Sequence, residues 1–309
     1  MTLKSLSIDA LPGGLQIPYF DVRGTADGPH LTVIAGVHGT EYTSIAAVRE
    51  LARGIDAATV RGRLTLVPVV NVPAFWARSP FVVPADGANL NRTFPGDPDG
   101  SYTEVLAHHV FETFVVGSDY LLDLHAGDLP EALEPFAMYE ESAVDTASRD
   151  LALAYGLGHV VRQSTAVRTV AGSTCAAAAD IGVPAIIAES GQNGLLDRPS
   201  VERHLAGVIN VARTLGVLPG DVVRHAPPQE HDGWHWLRTP NAGWWEPAVL
   251  AGEAVDAGTL LGTVGSLLGD DVTEVRAPEP GVVLFLTTSP AVGDDGLLLG
   301  LARGRGRVS

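Results

Sequence analysis

The chain has 309 residues, 36 acidic against 20 basic side chains, a formal net charge of −16 and 46% apolar residues. That length supports a large core domain plus a smaller second one, and the apolar content is too high for a disordered chain. The acidic balance offers no cationic surface for a polyphosphate backbone or an anionic membrane, so neither nucleic acid nor a membrane is an expected partner. Cys175 is the only cysteine and Lys4 the only lysine. An intrachain disulfide and a cysteine-based metal cluster are thereby excluded, and any metal must be held by His, Asp or Glu. The opening MTLKSLSIDALPGG has no signal-peptide apolar stretch, and nowhere do roughly eighteen apolar residues run together, so a soluble, cytoplasmic protein is expected.

In chain order, LQIPYFDVRG at 15–24 reads as an edge or entry strand and LTVIAGV at 31–37 as a buried one. A helix is predicted over Glu41 to Leu51 and another buried strand over LTLVPVVN at 64–71. The stretch from Pro73 to Gly100, rich in Pro, Gly and Asp, is longer than ordinary connections and marks a functional loop. Next come a helix over 101–116, a strand ending in a turn over YLLDLHAG at 120–127 and a strand over PFAMYE at 135–140. Helices follow at Asp145 to Tyr155 and Ser173 to Ile181, then a buried strand PAIIAES at 184–190 and a helix from Val201 to Leu215. Such alternation implies an α/β protein with a mostly parallel or mixed sheet covered on both faces, its site at the carboxyl ends of strands. From about residue 221 only short apolar runs punctuated by Gly and Pro remain, which predicts a small all-β unit. The expected division is 1–220 and 221–309.

Four segments carry the chemistry. In GVHGTEYTS, His38 and Glu41 lie three apart across a strand-to-helix turn, where imidazole and carboxylate can converge as nitrogen and oxygen ligands of zinc. Alternatively His38 only occupies the turn and Glu41 answers the helix dipole. His125, after a buried strand, supplies a third ligand or a structural strand-end histidine, with Asp123 as its orienter or as an ordinary strand-end carboxylate. A His, Glu, His set leaves a coordination position open, as in catalytic zinc sites. Asn91 and Arg92, in a Gly- and Pro-bounded segment, can capture a carboxylate or form a solvated turn. Arg78 is a second cation in the same loop. Glu189, delivered by an apolar run into Ser-Gly-Gln-Asn-Gly, either accepts backbone N–H groups or faces the site as a general base. Ser190 is not in a G-x-S-x-G elbow, so a serine nucleophile lacks support.

The four ordered blocks GVHGTE, DGANLNRTFPG, DLHAG and AESGQNG resemble those of the succinylglutamate desuccinylase and aspartoacylase family, relatives of the zinc carboxypeptidases. The resemblance spans roughly residues 15–215 and implies a zinc carboxypeptidase-like mixed central sheet flanked by helices. It places one zinc ion per subunit on His38, Glu41 and His125, a substrate-carboxylate grip on Asn91 and Arg92, the base on Glu189 and a carbonyl-polarising role on Arg78. The remainder of the chain is similar to the barrel-sandwich domain of such deacylases and to lipoyl and biotinyl carriers, but it has no lysine to carry a prosthetic group. That unit is then a wall or lid of the site, or serves stability or dimer formation. Trp234, Trp236, Trp244 and Trp245 either line the mouth of the site or build the unit's core.

The implied activity is zinc-dependent hydrolysis of the amide bond of an N-acylated amino acid or a related small carboxylate-bearing amide, in a protein that is often a homo-oligomer. The alternatives are a zinc carboxypeptidase acting on short peptides and a non-catalytic binding protein that retains the fold.

Overall fold

The computed structural model of the chain describes residues 1–166, 169–239 and 241–304. Its first half contains β1 (Thr2–Ile8), β2 (Leu15–Arg23), β3 (Ala26–Ala35), α1 (Tyr42–Gly54), β4 (Arg61–Val67), α2 (Val72–Ala77), α3 (Tyr102–Val110) and β5 (Tyr120–His125). There follow β6 (Glu131–Leu133), β7 (Phe136–Glu140), α4 (Asp145–Tyr155), β8 (His159–Gln163), α5 (Thr174–Asp180), β9 (Ala185–Glu189) and α6 (Arg198–Thr214). The rest is β10 (Gln229–Arg238), β11 (Gly243–Pro247), β12 (Ala254–Val255), β13 (Leu260–Gly265), β14 (Thr273–Arg276), β15 (Gly281–Thr287), β16 (Ala291–Val292) and β17 (Leu297–Gly304).

The sheet is mixed. β4, β3, β5 and β9 run parallel side by side at its centre, while β1 and β2 extend it antiparallel at one edge. The central strands are near-continuous apolar runs because both faces are covered, as Leu31 to Ala35, Leu121 to Leu124 and Ala185 to Ala188 show by their burial. One apolar cluster forms where α1, α4 and α6 pack on one face, through residues such as Val48, Leu151 and Val211. Another forms on the opposite face around Leu106, Phe114 and Cys175. Helix starts follow local chemistry: Ser101 and Glu104 form a capping box on α3, Ser173 caps α5, and Asp197 with Pro199 opens α6.

The sheet does not stop near residue 220. β10 pairs parallel with β8 and antiparallel with β17, so the sheet continues through β17 and β15 into the C-terminal strands. A second, four-stranded sheet, β14-β13-β11-β16, packs there around Trp245, Leu261 and Leu298. The expected α/β sheet with an all-β C-terminal part is therefore the observed architecture, and the C-terminal strands are hydrogen-bonded to the rest. Four short elements lay outside the expectations: edge strand β1, three-residue β6, β8, which pairs with β7 and β10, and α2, which occupies the start of the predicted loop. Among the described residues no helix is long and apolar enough to cross a membrane.

Candidate metal centre and its cavity

The neighbouring strands β3, β5 and β9 end on the same side of the sheet, and each delivers a functional side chain. After β3 the chain turns through His38 and Gly39 into α1. Gly39 permits this turn to lie against α2, since a Cβ there would sit 2.3 Å from the Ala74 carbonyl carbon. Glu41 occupies the cap position of α1 but makes no capping bond. Its carboxylate turns instead to both histidines, with Oε1 2.6 Å from His38 Nδ1 and Oε2 2.9 Å from His125 Nδ1. One ligand atom from each of the three residues lies within 4.8 Å of the others, and all three side chains are buried.

The outer ring nitrogens are occupied too. His38 Nε2 lies 3.1 Å from Asn89 Oδ1, whose orientation is set by the Asn91 N–H donating to it at 2.8 Å. His125 Nε2 lies 3.1 Å from Asp123 Oδ2, an oxygen that also accepts from the Thr174 hydroxyl. Both rings thus face acceptors on both nitrogens. A neutral imidazole has one N–H, so each leaves a lone pair against one of its acceptor oxygens unless it takes a proton or a cation sits at Glu41 between the rings. Two imidazoles and a carboxylate, buried and held from behind by Asn89 and Asp123, fit a divalent transition metal such as zinc. Burial raises the Glu41 carboxyl, but His125 and His38 outweigh it and bring it down to about 2. Burial opposes the charge on His125, but Asp123 and Glu41 hold its pKa well above the usual histidine value.

Glu189 pairs in register with His125 across β5 and β9. Its Oε2 is buried without a hydrogen-bond partner among the described residues. Burial, together with the charges of Glu41, Glu131 and Asp123 and against the pull of His125, raises its pKa well above the usual carboxylate value. The following turn is fixed by Gly191, whose φ of +106° brings the backbone to within 2.3 Å of Thr43 Oγ1, measured from the position a Cβ would take.

Behind the strand ends, His204 of α6 points Nε2 at the carbonyls of both His125 and Ser190, 3.0 Å from each, while Tyr155 donates its hydroxyl to Nδ1 at 2.7 Å. It ties the end of β5 to the residue that follows β9. Burial lowers His204 to about 4, so the folded state favours the neutral ring. The unfolded state binds more protons between about pH 6.5 and 4, and the stability contributed by neutral His204 falls as pH is lowered through that window. Replacing His204 by Gln is expected to destabilise the protein by about 2 kcal/mol at pH 8. The gap from wild type should narrow as pH falls to about 4, measured by denaturant unfolding; a pH-independent gap would contradict this role.

The donor set opens into a cavity of about 570 Å³ whose lining includes Asn91, Arg92, Glu131, Glu189, Trp236 and Phe285. Arg92 donates from Nη1 to the Asn91 carbonyl at 2.6 Å, and its guanidinium carbon lies 5.4 Å from the Trp236 ring centre. Burial and nearby Arg238 lower Arg92 to about 10, against the opposing charge of Glu131, which leaves it cationic at neutral pH. Asn91 is buried, with its amide oxygen accepting from Thr174 N–H at 3.1 Å and its amide nitrogen 3.4 Å from His125 Nε2. Arg78 stands apart: it caps α2 in the left-handed conformation (φ 54°), is exposed, and is absent from the cavity lining. The geometry brings six of the seven expected site residues together and leaves out Arg78.

Sequence reasoning did not single out Asp128, Phe81, Glu131 or Phe285. Asp128 accepts from the Thr40 hydroxyl and, at 2.7 Å, from the Phe81 N–H, and the Phe81 ring lies edge-on to His38 at 5.7 Å. Its place directly after the DLHAG block was the available signal. Of the four C-terminal tryptophans, Trp234 and Trp236 line the cavity, Trp245 is core and Trp244 is 46% exposed.

Comparison with known proteins identifies the family. Residues 27–215 match the family model described as the succinylglutamate desuccinylase/aspartoacylase catalytic domain. The chain is 30% identical over 280 residues to N-alpha-acetyl-L-2,4-diaminobutyric acid deacetylase of Halomonas elongata, covering 88% of this chain and 81% of that protein. The product-bound ectoine utilization protein EutE (DoeB) of Ruegeria pomeroyi superposes with a TM-score of 0.85 at 27% identity, covering 97% of this chain and 93% of that one. The succinylglutamate desuccinylase/aspartoacylase structure from Rhodobacter sphaeroides shares the fold, with a TM-score of 0.86 at 24% identity, covering 98% and 94% of the two chains. The fold is thus that of the desuccinylase and aspartoacylase deacylases. The chain belongs to the succinylglutamate desuccinylase/aspartoacylase family.

Proposed function

We propose that the protein is a cytoplasmic, zinc-dependent deacylase that hydrolyses the amide bond of a small N-acylated amino acid. The observation that supports this most directly is the meeting, in one cavity, of a buried His38–Glu41–His125 donor set, the Glu189 carboxyl, whose Oε2 has no hydrogen-bond partner among the described residues, and the cationic Arg92. His38, Glu41 and His125 would hold the zinc. When bound, zinc supplies Lewis-acid polarisation of a carbonyl and makes water nucleophilic near neutral pH. Glu189 takes the proton from the attacking water and hands it to the leaving nitrogen, so that the amine departs neutral. A buried carboxyl with a raised pKa suits both halves of that transfer. Arg92, with the Asn91 side-chain amide beside it, holds the substrate carboxylate and thereby fixes the amide against Glu189.

The wall formed by Trp234, Trp236 and Phe285 favours a small substrate over the peptides of a carboxypeptidase. Arg92→Ala is expected to lower kcat/KM by about 30-fold, or about 2 kcal/mol, chiefly through KM. The test is amine release from a panel of N-acetyl and N-succinyl amino acids, with short peptides as comparison. Turnover of peptides in preference to N-acyl amino acids would replace this reading by the peptidase one.

A further inference from the structure

We propose that the protein self-associates by seating the acidic, leucine-bearing tip of the β13–β14 hairpin of one copy in an apolar, arginine-flanked groove beside β1 and β2 of a second copy. The tip is the turn from Ser266 to Val272, where Leu267 and Leu268 are 84% and 91% exposed. It is not a loose tail. β13 and β14 pair as far as Val264 and Thr273, the Ser266 N–H donates to the Asp270 carbonyl at 2.9 Å, and the Gly269 N–H donates to the Ser266 carbonyl at 3.0 Å. A fixed turn thus holds two leucines out in solvent, followed within three residues by exposed Asp270 and Asp271. Large apolar side chains displayed together in this way mark an interaction surface.

The groove has a volume of about 510 Å³, and its lining includes Leu3 of β1, Phe20 of β2, Arg49 and Arg53 of α1, and Phe75 and Trp76 of α2. Leu3 stands opposite Phe20 in the β1–β2 register, and the Phe75 and Trp76 rings meet edge to face at 5.0 Å. Trp76 is 76% exposed. Arg49 and Arg53 lie about one helical turn apart, and no acidic side chain is among the described lining. Glu50, next to Arg49 in the chain, is engaged by Arg198 Nη1 at 2.7 and 2.8 Å. In a chain of net charge −16, a groove with two arginines and no acid favours an occupant that is both apolar and anionic. The Leu267-Leu268-Gly269-Asp270-Asp271 tip has that chemistry.

The two features belong to opposite ends of the molecule. β1 and β2 finish one end of the main sheet, whereas β13 and β14 belong to the second sheet, which packs on β15 and β17 toward the other end. The tip therefore meets the groove of another copy and not its own. Because the contact joins unlike surfaces, two copies lying head to tail form a closed pair with two identical contacts. In that pair the leucines cover Trp76 and Phe20, while Asp270 and Asp271 approach Arg49 and Arg53.

The test is the molar mass of the whole chain by light scattering and sedimentation equilibrium at micromolar concentrations, with thermal unfolding to show that each variant is folded. The wild type is expected to be a dimer. Leu267→Asp with Leu268→Asp should weaken association by about 30-fold or more, as should Arg49→Glu with Arg53→Glu. The decisive arm mixes two charge-reversed proteins, one carrying Arg49→Glu and Arg53→Glu, the other Asp270→Arg and Asp271→Arg. Each alone opposes like charges at both contacts and should be monomeric, whereas the equimolar mixture opposes unlike charges at both and should recover the dimer mass. A monomeric wild type would overturn the proposal and leave the groove to a different acidic partner. A dimer that survives both the leucine and the arginine substitutions would overturn it in favour of another face, and a charge-reversed mixture that stays monomeric would overturn the pairing of tip with groove.

Discussion

Replacement of Glu189 by Gln is expected to lower kcat for N-acyl amino acid hydrolysis by about 10³-fold while leaving one metal ion bound per chain. Glu189 is not one of the three clustered donors, and its Oε2 makes no protein hydrogen bond among the described residues. The amide of Gln has nearly the same shape, so the fold and the donor set should survive. What it cannot do is accept and return a proton, and general acid–base catalysis contributes typically 10²–10⁴-fold. The readouts are kcat, KM and metal content of the same preparation. A variant retaining more than about a tenth of wild-type kcat would remove Glu189 from the proton-transfer role. Loss of both metal and activity would make it a structural support of the donor set instead.

The second large effect is expected at Glu41. Because its two oxygens meet both imidazoles, Glu41→Gln removes the only anionic member of the donor set and weakens the compensation of both rings. Zinc affinity should fall by more than about 100-fold, beyond the loss typical of changes behind a ligand. Activity should be recovered only in part by excess zinc. Competition titration against a chromophoric chelator reads the affinity directly. An unchanged affinity would mean that Glu41 only bridges the two histidines and does not hold the ion.

These two residues also show which features were readable from sequence. Glu41 and Glu189 stood out because each lies at the end of an apolar strand or just past its turn, and parallel strands buried on both faces announce themselves as runs such as LTVIA and AIIA. Once β3, β5 and β9 are neighbours, the convergence of His38, His125 and Glu189 follows from strand polarity. The wall opposite them had no such signal. Phe285 and Trp236 reach the cavity because β10, β17 and β15 extend the sheet and β6 pairs with β15 across more than 150 residues of chain. Such pairing is fixed by tertiary packing, and a strand of three residues leaves no periodicity to detect.

Arg78 shows the converse failure. A stretch read as one long functional loop begins with α2, and Arg78, its left-handed cap, is exposed while the later NLNR segment enters the cavity. Resemblance in the blocks on either side did not determine the path between them. Glu131 was hidden for a different reason: a single acidic residue in a strongly acidic chain carries no distinction until its place in the cavity lining is seen in three dimensions.

The most direct test of the central claim is a zinc titration of chelator-stripped protein, following the initial rate of amine release from an N-acetyl amino acid. Binding at His38, Glu41 and His125 predicts that the rate is near zero in the stripped protein, rises linearly with added zinc and levels off at one equivalent per chain. A rate that is undiminished by stripping, or that stays at zero through the titration for every N-acyl amino acid offered, would contradict it.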